Sequence, residues 1–331
     1  MFRRGKSIDK YHSLPFINHI IGSILDSNDF RLMLESHEIE SAIDSVANKP
    51  LGKHLATVMR VYGKDPSTLM KGLDDYLRYM INYILSITPE EYVKDVLSIE
   101  RLYDILNITL TYMLSLEKKE MHALFPGGLL YLKVYELKEK SIKDLLKITG
   151  LHTYLESYVV ERISPIEFLA RLFTIFKLWR EKLLRTRLKK IYSIIYDYML
   201  VRLAYTLGED FIRRIQVQPY MLSQSDLESI AREKSIEDTV NTISRAYPLL
   251  AEIIRSLNKM IKHTVLLDYS HILHLAHESN NLLDPFSPDI YVRAIILIRA
   301  ENVFTRLSIL SIIHKLESEY LKEMLNKWWV R

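Results

Sequence analysis

Four prolines of this chain each follow a residue whose side chain can cap the start of a helix. The pairs are Asp65–Pro66, Thr88–Pro89, Ser164–Pro165 and Ser287–Pro288. The side-chain oxygen of the first residue can accept an amide hydrogen of the first turn, and the fixed φ of proline suits the first helical position. Only nine glycines occur in 331 residues, and no long segment alternates apolar and polar residues. The sequence therefore predicts an all-α fold.

Apolar spacing predicts two kinds of helix. From residue 169, apolar side chains recur at steps of three and four, which is typical of a helix with one buried face. They are Leu169, Leu172, Phe173, Phe176, Trp179 and Leu183. Apolar residues are denser between 295 and 313. That density predicts a helix that is buried on more than one side.

Two nearly identical hexapeptides, EKSIKD at 139–144 and EKSIED at 233–238, indicate an internal repeat. Tyr103–Asp104 recurs as Tyr196–Asp197, and Ala300–Glu301 lies farther along the chain at a comparable interval. A fainter third copy of the hexapeptide region occupies 38–55. A period of about 100 residues is too long for a solenoid of short helical repeats. We predict three similar helical modules with approximate bounds 1–115, 116–210 and 211–331.

Composition and charge argue against several classes of protein. Without cysteine the chain has no disulfide framework, thiolate metal site or cysteine nucleophile. Its 45 basic and 41 acidic residues give a net charge of +4, which does not favour a nucleic-acid partner. The longest segment without a formal charge, 11–25, is shorter than the roughly 20 apolar residues that span a bilayer. Nothing at the N-terminus resembles a secretory signal. We expect a cytoplasmic protein that can lie against a membrane complex.

The segment FPGGLL at 125–130 holds two of the nine glycines. A glycine pair after Pro126 favours a tight turn in which Gly127 or Gly128 has a positive φ. Neither a P-loop nor a dinucleotide-binding glycine motif is present, and no serine lies in a nucleophile elbow. We expect a structural turn, no cofactor, no small-molecule substrate and no catalytic residue.

The segment HILHLAHE contains a weak candidate for a metal site. On a helix, His271, His274 and Glu278 would lie on one face, and two imidazoles with one carboxylate can bind zinc. The order of a zinc protease, with a glutamate between the two histidines, is missing. The alternative is that these histidines are structural, and we predict no metal.

The segment KLWREKLLRTRLKK at 177–190 carries seven basic residues against one glutamate. Its apolar residues, Leu183, Leu184 and Leu188, predict a helix with one basic face. That face is either simply solvated or binds acidic residues of a partner. Arg180, Arg185 and Arg187 are the candidate contact residues.

Three segments in order resemble the first half of the C-type rotor subunit of archaeal A-type and V-type rotary ATPases, the counterpart of the d-type subunit of eukaryotic V-ATPases. They are ERLYDILNITLTYML at 100–114, ALFPGGLL at 123–130 and SIKDLLKITGLHTYLES at 141–157. The C-terminal segment LIRAENVFTRLSILSIIHKLESEYLKEML is similar to the last long helix of that family. In the second and third predicted modules, Leu200 and Phe304 replace the asparagine of the first.

The resemblance assigns structural roles to particular residues. The residues that match the family pattern are Asp104, Asn107, Pro126, Gly127, Gly128, Gly150, Tyr154, Asp197, Arg299, Glu301 and Arg306. It also implies a fold of three similar helical domains in a pseudo-threefold arrangement, which form a funnel-shaped body.

The function that the resemblance implies is mechanical. Members of this family are non-catalytic sockets that receive the D and F subunits of the central stalk and sit on the cytoplasmic face of the membrane proteolipid (c/K) ring. They transmit torque during proton- or sodium-coupled ATP synthesis or hydrolysis. The alternatives are an all-helical scaffold for soluble partners and a helical metalloenzyme built on the histidines above.

Overall fold

The structure is a computed structural model that describes residues 9–116, 125–132, 142–154, 165–183, 186–259, 265–315 and 318–329. Within these ranges the secondary structure consists of helices and turns, without a β-strand. The prediction of an all-α fold is confirmed. None of the helices in these ranges is long and apolar enough to cross a membrane.

The helices are numbered here in chain order through the described ranges. They are α1 (Lys10–Ser23), α2 (Ser27–Glu35), α3 (Ile39–Asp44), α4 (Pro50–Tyr62), α5 (Pro66–Ile87), α6 (Glu90–Leu116), α7 (Gly128–Leu132), α8 (Ile142–Thr149), α9 (Pro165–Lys182), α10 (Thr186–Leu207), α11 (Glu209–Ile215), α12 (Gln224–Glu233), α13 (Ile236–Ile243), α14 (Pro248–Leu257), α15 (Val265–Ser279), α16 (Asp289–His314) and α17 (Ser318–Trp328). A short 3₁₀ helix (Leu151–Tyr154) follows α8.

The chain divides into two compact units. The first contains Met1–Val93 and Ile253–Arg331, and the second contains Lys94–Glu252. The three modules and their bounds remain a prediction.

The predicted helix starts differ in how their caps are made. The Asp65 carboxylate accepts the amide hydrogens of Ser67 and Thr68, as expected of a cap before Pro66. The hydroxyl of Thr88, in contrast, donates to the carbonyl of Ile84 in the preceding helix. Threonine in or just after a helix can bond back to the carbonyl four residues earlier, and here that bond forms.

The other two predicted caps also have distinct outcomes. Helix α16 begins at Asp289, one residue after Pro288, and the Ser287 hydroxyl accepts the amide hydrogen of Asp289 at 3.2 Å. Ser164 lies outside the described residues, although α9 does begin at Pro165.

The two predicted apolar patterns correspond to a helix buried on one face and a helix buried on nearly all sides. In α9 the stripe Leu169, Leu172, Phe173, Phe176 is buried, and the residues between its members are mostly exposed or half-buried. In α16 nearly every side chain from Asp289 to Ser311 is buried. Helix α10 is buried in the same way from Leu188 to Ala204. These two long helices are the cores of their respective units.

Short helices occur within the repeated regions, as far as the structure describes them. The regions that share the repeated pattern form the short helices α3, α8 and α13, each of which begins at an isoleucine. Both α2 and α12, which precede two of them, begin with a capping box, made by Asp26 with Asp29 and by Ser223 with Asp226. Proline then starts the following helix at Pro50 and Pro248. In both regions a capped helix, a short helix and a helix that begins at proline follow one another. The capping boxes fix where the first of these helices begins, because they bind amides that have no partner within the helix.

Candidate functional site

Asp104, on the long helix α6, holds a loop by a backbone hydrogen bond. Its side chain is fully buried, and Oδ1 accepts the amide hydrogen of Leu130 at 2.7 Å. One helical turn earlier on α6, Glu100 accepts the amide hydrogen of Gly128 at 3.1 Å. Two buried carboxylates therefore bind the backbone at the start of α7, where the amide hydrogens have no partner within their own helix.

Asn107 binds the other end of the same loop. Its Oδ1 accepts the amide hydrogen of Phe125 at 2.8 Å, and its Nδ2 donates to the carbonyls of Phe125 at 3.2 Å and Gly127 at 3.0 Å. The amide side chain of asparagine suits this position because it presents one acceptor oxygen and two donor hydrogens side by side. Asp104 and Asn107, three residues apart on α6, thus fix 125–130 against the helix.

The two glycines allow this loop to lie directly on α6. Gly128 has a φ of +83°, and a Cβ there would overlap the Asp104 carboxylate and lie 2.8 Å from the Asp104 amide nitrogen. A Cβ on Gly127 would lie 2.9 Å from the Tyr103 ring. That ring stacks on Phe125 with a centroid separation of 4.5 Å. The turn prediction is thereby explained by both backbone conformation and close approach.

Burial controls the ionisation of Asp104. It raises the pKa of Asp104 well above the ordinary value of 3.8, and the nearby Glu100 adds to that effect. Hydrogen bonds from the backbone of Leu130 and Leu129 and the charge of Arg101 act in the opposite direction. The protonated form is favoured because a charge is costly in an apolar interior.

Asp197 occupies the corresponding position on α10 and also holds a loop. Its carboxylate accepts the amide hydrogens of Tyr220 at 2.6 Å and Met221 at 2.8 Å, and the hydroxyl of Tyr247 donates to it at 2.7 Å. Burial raises the pKa of Asp197 above 3.8, although these hydrogen bonds counteract the effect. Leu200, which stands where α6 has Asn107, is fully buried and apolar. No side-chain amide at this position therefore binds the second loop.

Glu301 is the third acid of the set and lies on α16. Its Oε1 accepts the amide hydrogen of Leu25 at 2.8 Å, across 276 residues of sequence. Leu25 lies between α1 and α2, so this acid holds a loop from the opposite end of the chain. We call Asp104, Asp197 and Glu301 the anchor carboxylates, because each is buried on a long helix and binds the backbone of a loop.

Aromatic side chains pack against α16 one turn after the third anchor. Phe304, which replaces the asparagine, lies 5.4 Å from Phe30 and 5.1 Å from Trp329 between ring centroids. Phe30 and Trp329 are themselves 5.4 Å apart in a T-shaped arrangement. Three mutually close rings attach α2 and the residue after α17 to α16, and such pairs add about 0.5–1.5 kcal/mol each beyond burial.

Arg306 and its neighbour Asn302 join α16 to α5. Arg306 donates to Asn302 at 2.8 Å, to the Met70 carbonyl at 3.2 Å and to the Asp74 carboxylate at 2.6 Å. Asn302 donates to the carbonyl of Leu73 at 2.8 Å. The two residues are therefore part of one hydrogen-bonded contact between helices, in which the planar guanidinium reaches several acceptors at once.

The remaining residues of the family pattern have structural positions. Gly150 ends α8 with a φ of +73°, a conformation that favours glycine after a helix. Tyr154 is the last residue of the 3₁₀ helix, and its side chain lies outside the described residues. Pro126 is half-buried in the anchored loop, and Arg299 is buried on α16.

The histidines of α15 lie in the interior of the first unit. His271 and His274 are buried, and His274 Nε2 lies 3.8 Å from Glu278 Oε1. Burial, together with nearby His274 and Arg299, holds the pKa of His271 well below 6.5. Across the part of the chain that the structure describes, no three side chains of the metal-binding types are grouped to hold an ion. The burial of both imidazoles is consistent with the structural alternative.

The predicted partner-contact arginines lie in different environments. The Arg180 guanidinium is used within the chain, since it donates to Ser193 at 2.7 Å and to Glu181 at 2.6 Å. Arg187 is exposed near the start of α10. Arg185 lies outside the described residues.

Several residues of this site could not be recognised from the sequence. Glu100, Tyr247 and Leu25 carry no motif that distinguishes them, and each meets its partner only through the tertiary fold. The capping boxes at Asp26 and Ser223 follow a known pattern and could have been found.

Comparison of the sequence with models of known protein families finds no match, and comparison with curated proteins finds no similar sequence.

Proposed function

We propose that this protein is the central-rotor connector of an A/V-type rotary ATPase. In this role it is a non-catalytic component that receives the D and F subunits of the central stalk and rests on the cytoplasmic face of the membrane proteolipid ring. It transmits torque between ion movement in the membrane and ATP synthesis or hydrolysis. The three similar modules and the funnel-shaped body implied by the resemblance belong to this proposal.

The observation that carries the proposal is the joint action of the resembling residues. In the sequence, Asp104, Asn107 and the Gly127–Gly128 pair resemble the family only by residue type and order. In the structure they form a single hydrogen-bonded unit that fixes a loop to α6. Residues of the family pattern that contact one another are stronger support for the resemblance than the same residues far apart in the fold. This geometry therefore supports the resemblance.

The anchor carboxylates supply a second line of support. Asp197 and Glu301 hold loops in the same manner as Asp104, which is consistent with a family built of three similar helical domains. The pairing of Glu301 with Leu25 joins the two ends of the chain. Such a bond is consistent with modules that are interleaved along the chain.

The anchored loops suit a rotor subunit that transmits torque. Hydrogen bonds of this kind contribute about 0.5–1.5 kcal/mol each, and two of the anchored loops lie on helices whose side chains are almost wholly buried. Loops held in this way transmit force with little yielding, because moving one would leave buried donors and acceptors unpaired.

Affinity capture from native membranes tests the proposal. The tagged protein is incubated with detergent-solubilised membranes that contain an intact rotary ATPase, and bound chains are identified by mass spectrometry. We expect the nucleotide-binding A and B subunits, the D and F stalk subunits and a small proteolipid. A bait that carries Asp104→Ala and Asn107→Ala, which frees the first loop, serves as the structural control and is expected to recover less of each.

The opposite result is equally clear. If the wild-type bait recovers none of these proteins, the connector proposal is wrong. Recovery of soluble proteins alone would then favour a helical scaffold.

A further inference from the structure

The exposed face of α9 carries lysines that form no ion pair within the described residues. Thr174, Lys177, Leu178, Glu181 and Lys182 lie at helical spacing on this face, and Lys94 of α6 lies close to it. The ion pairs found in the described ranges include neither Lys94, Lys177 nor Lys182. These three ammonium groups remain available to an external anion.

Aromatic rings hold these lysines in place. The Nζ atoms of Lys94 and Lys182 lie 5.6 Å and 4.9 Å from the centroid of the Trp179 ring. The Nζ of Lys177 lies 5.6 Å from the centroid of the Tyr220 ring. Each contact contributes about 0.5–1 kcal/mol at an exposed site. It restricts the side chain while its N–H donors stay free, so a ligand would have less side-chain entropy to overcome.

The glutamate on this face does not neutralise the three lysines. Glu181 binds Arg180 at 2.6 Å and Lys189 at 3.5 Å, and these contacts, with Arg180 first, lower its pKa below the ordinary value of 4.5. Its charge is thus shared between two other cations.

The second anchor carboxylate positions one of these rings. Asp197 accepts the amide hydrogen of Tyr220 at 2.6 Å, and the Tyr220 hydroxyl donates to the carbonyl of Lys177. The loop at 217–222 is therefore fixed to α10 at one end of Tyr220 and to α9 at the other. Arg180 covers the ring as well, with its guanidinium carbon 4.9 Å from the centroid.

Two large apolar side chains are exposed among these cations. Leu178 on α9 and Met221, the residue after Tyr220, are each 62% exposed. Exposed apolar residues beside fixed charges are typical of a protein interface. We call the set Lys94, Lys177, Leu178, Lys182 and Met221 the basic surface.

We propose that the basic surface binds an acidic amphipathic helix of a partner protein. Carboxylates one turn apart on that helix would meet the lysines, and its apolar residues would cover Leu178 and Met221. This proposal goes beyond the function proposed above and does not depend on it. Arg180, one of the predicted contact residues, is here a positioning residue, because its guanidinium binds Glu181, Ser193 and the Tyr220 ring.

Two other polyanions fit the basic surface less well. Nucleic acid would use exposed rings for base stacking, and a bilayer would take aromatic rings into its headgroup region. Trp179 is only 8% exposed, and the Tyr220 ring already bears Lys177 and Arg180. An acidic peptide needs only the ammonium groups and the two apolar side chains, and these are the accessible parts.

Peptide binding to the full-length chain tests the proposal. The probes are a fluorescent amphipathic helical peptide with glutamate on its polar face, the same peptide with lysine instead, vesicles of phosphatidylglycerol and a single-stranded oligonucleotide. We expect the glutamate peptide alone to bind, with an affinity that falls as NaCl is raised from about 0.05 M to about 0.2 M. Lys177→Glu with Lys182→Glu is expected to weaken that binding about tenfold or more.

A matched control variant distinguishes the effect of the basic surface from the effect of the protein's net charge. Lys53→Glu with Arg60→Glu makes the same change in net charge on the exposed face of α4, and it is expected to leave peptide binding unchanged. Should the double glutamate variant of the basic surface fail to fold, as judged by circular dichroism, Lys177→Gln with Lys182→Gln replaces it. Equal loss in both variant pairs, or binding of vesicles or oligonucleotide in preference to the glutamate peptide, would overturn the proposal.

Discussion

Three glycine-to-alanine variants separate the two reasons for which Gly128 is required. Gly22 lies within α1, has an ordinary φ, and a Cβ there would meet nothing within 4 Å. Gly63, which ends α4, has a φ of +95° but is also surrounded by open space. Gly128 combines a φ of +83° with a Cβ position that overlaps Asp104. Gly22→Ala therefore introduces neither effect, Gly63→Ala introduces backbone strain alone, and Gly128→Ala introduces both strain and steric overlap.

The magnitudes follow from these surroundings. Gly22→Ala should stabilise the protein by about 0.5–1 kcal/mol, because alanine loses less backbone entropy in a helix. Gly63→Ala should cost about 1–3 kcal/mol for the strained backbone alone. At Gly128 the overlap involves a backbone nitrogen at 2.8 Å, so the loop must move away from α6. That movement breaks the buried hydrogen bonds to Asp104 and Glu100, each worth about 1–3 kcal/mol when a donor is left unpaired.

We therefore expect Gly128→Ala to destabilise the second unit by about 3–9 kcal/mol. Urea unfolding monitored by far-ultraviolet circular dichroism measures the free energies, and amide hydrogen exchange at Leu130 reports the loop directly. A Gly128→Ala variant that is no less stable than Gly63→Ala, with Leu130 still protected, would show that the loop does not lie against α6 as described.

Three further perturbations test the anchors and the aromatic cluster. The folded-state pKa of Asp104 is raised above 3.8, so its stabilising contribution is complete below that pH and is lost as pH rises through the folded-state value. Urea titrations between about pH 4 and 8 should show wild type losing stability relative to Asp104→Asn, and a constant difference would contradict the burial argument. Tyr247→Phe removes a buried donor to Asp197 and should cost about 1–2 kcal/mol in the same assay. The exposed Tyr79→Phe is its control, and equal effects would refute a specific bond. Trp329→Ala should cost about 3–5 kcal/mol in thermal or urea unfolding, since it empties a buried aromatic site. A loss below about 1 kcal/mol would mean that this ring is not packed.

Much of the secondary structure could be predicted from local chemistry. The cap at Asp65 with Pro66, the buried stripe of α9 and the dense apolar residues of α16 each specify a helix within a few turns of sequence. The regions that share the repeated pattern contain short helices at three places. These features depend on neighbouring residues alone, so periodicity and capping are sufficient to find them.

The prediction was less accurate where a side chain had alternative partners. Thr88 matched the cap pattern, but its hydroxyl bonds backward to Ile84. Arg180 was grouped with exposed cations, but its guanidinium binds Ser193 and the Tyr220 ring. A polar side chain with several acceptors in reach takes the one that the packed structure presents, and sequence spacing does not show which one that is.

The sequence by itself determined the helices, the tight turn at Gly127 and Gly128 and the recurrence of an acid on three long helices. Only the tertiary structure decided what those acids do. Leu25 meets Glu301 across 276 residues, and Tyr247 reaches Asp197 across 50. Caps and apolar periods are local properties that short stretches of chain express independently. A buried carboxylate is stable only where donors converge on it, and that convergence exists once distant helices have packed.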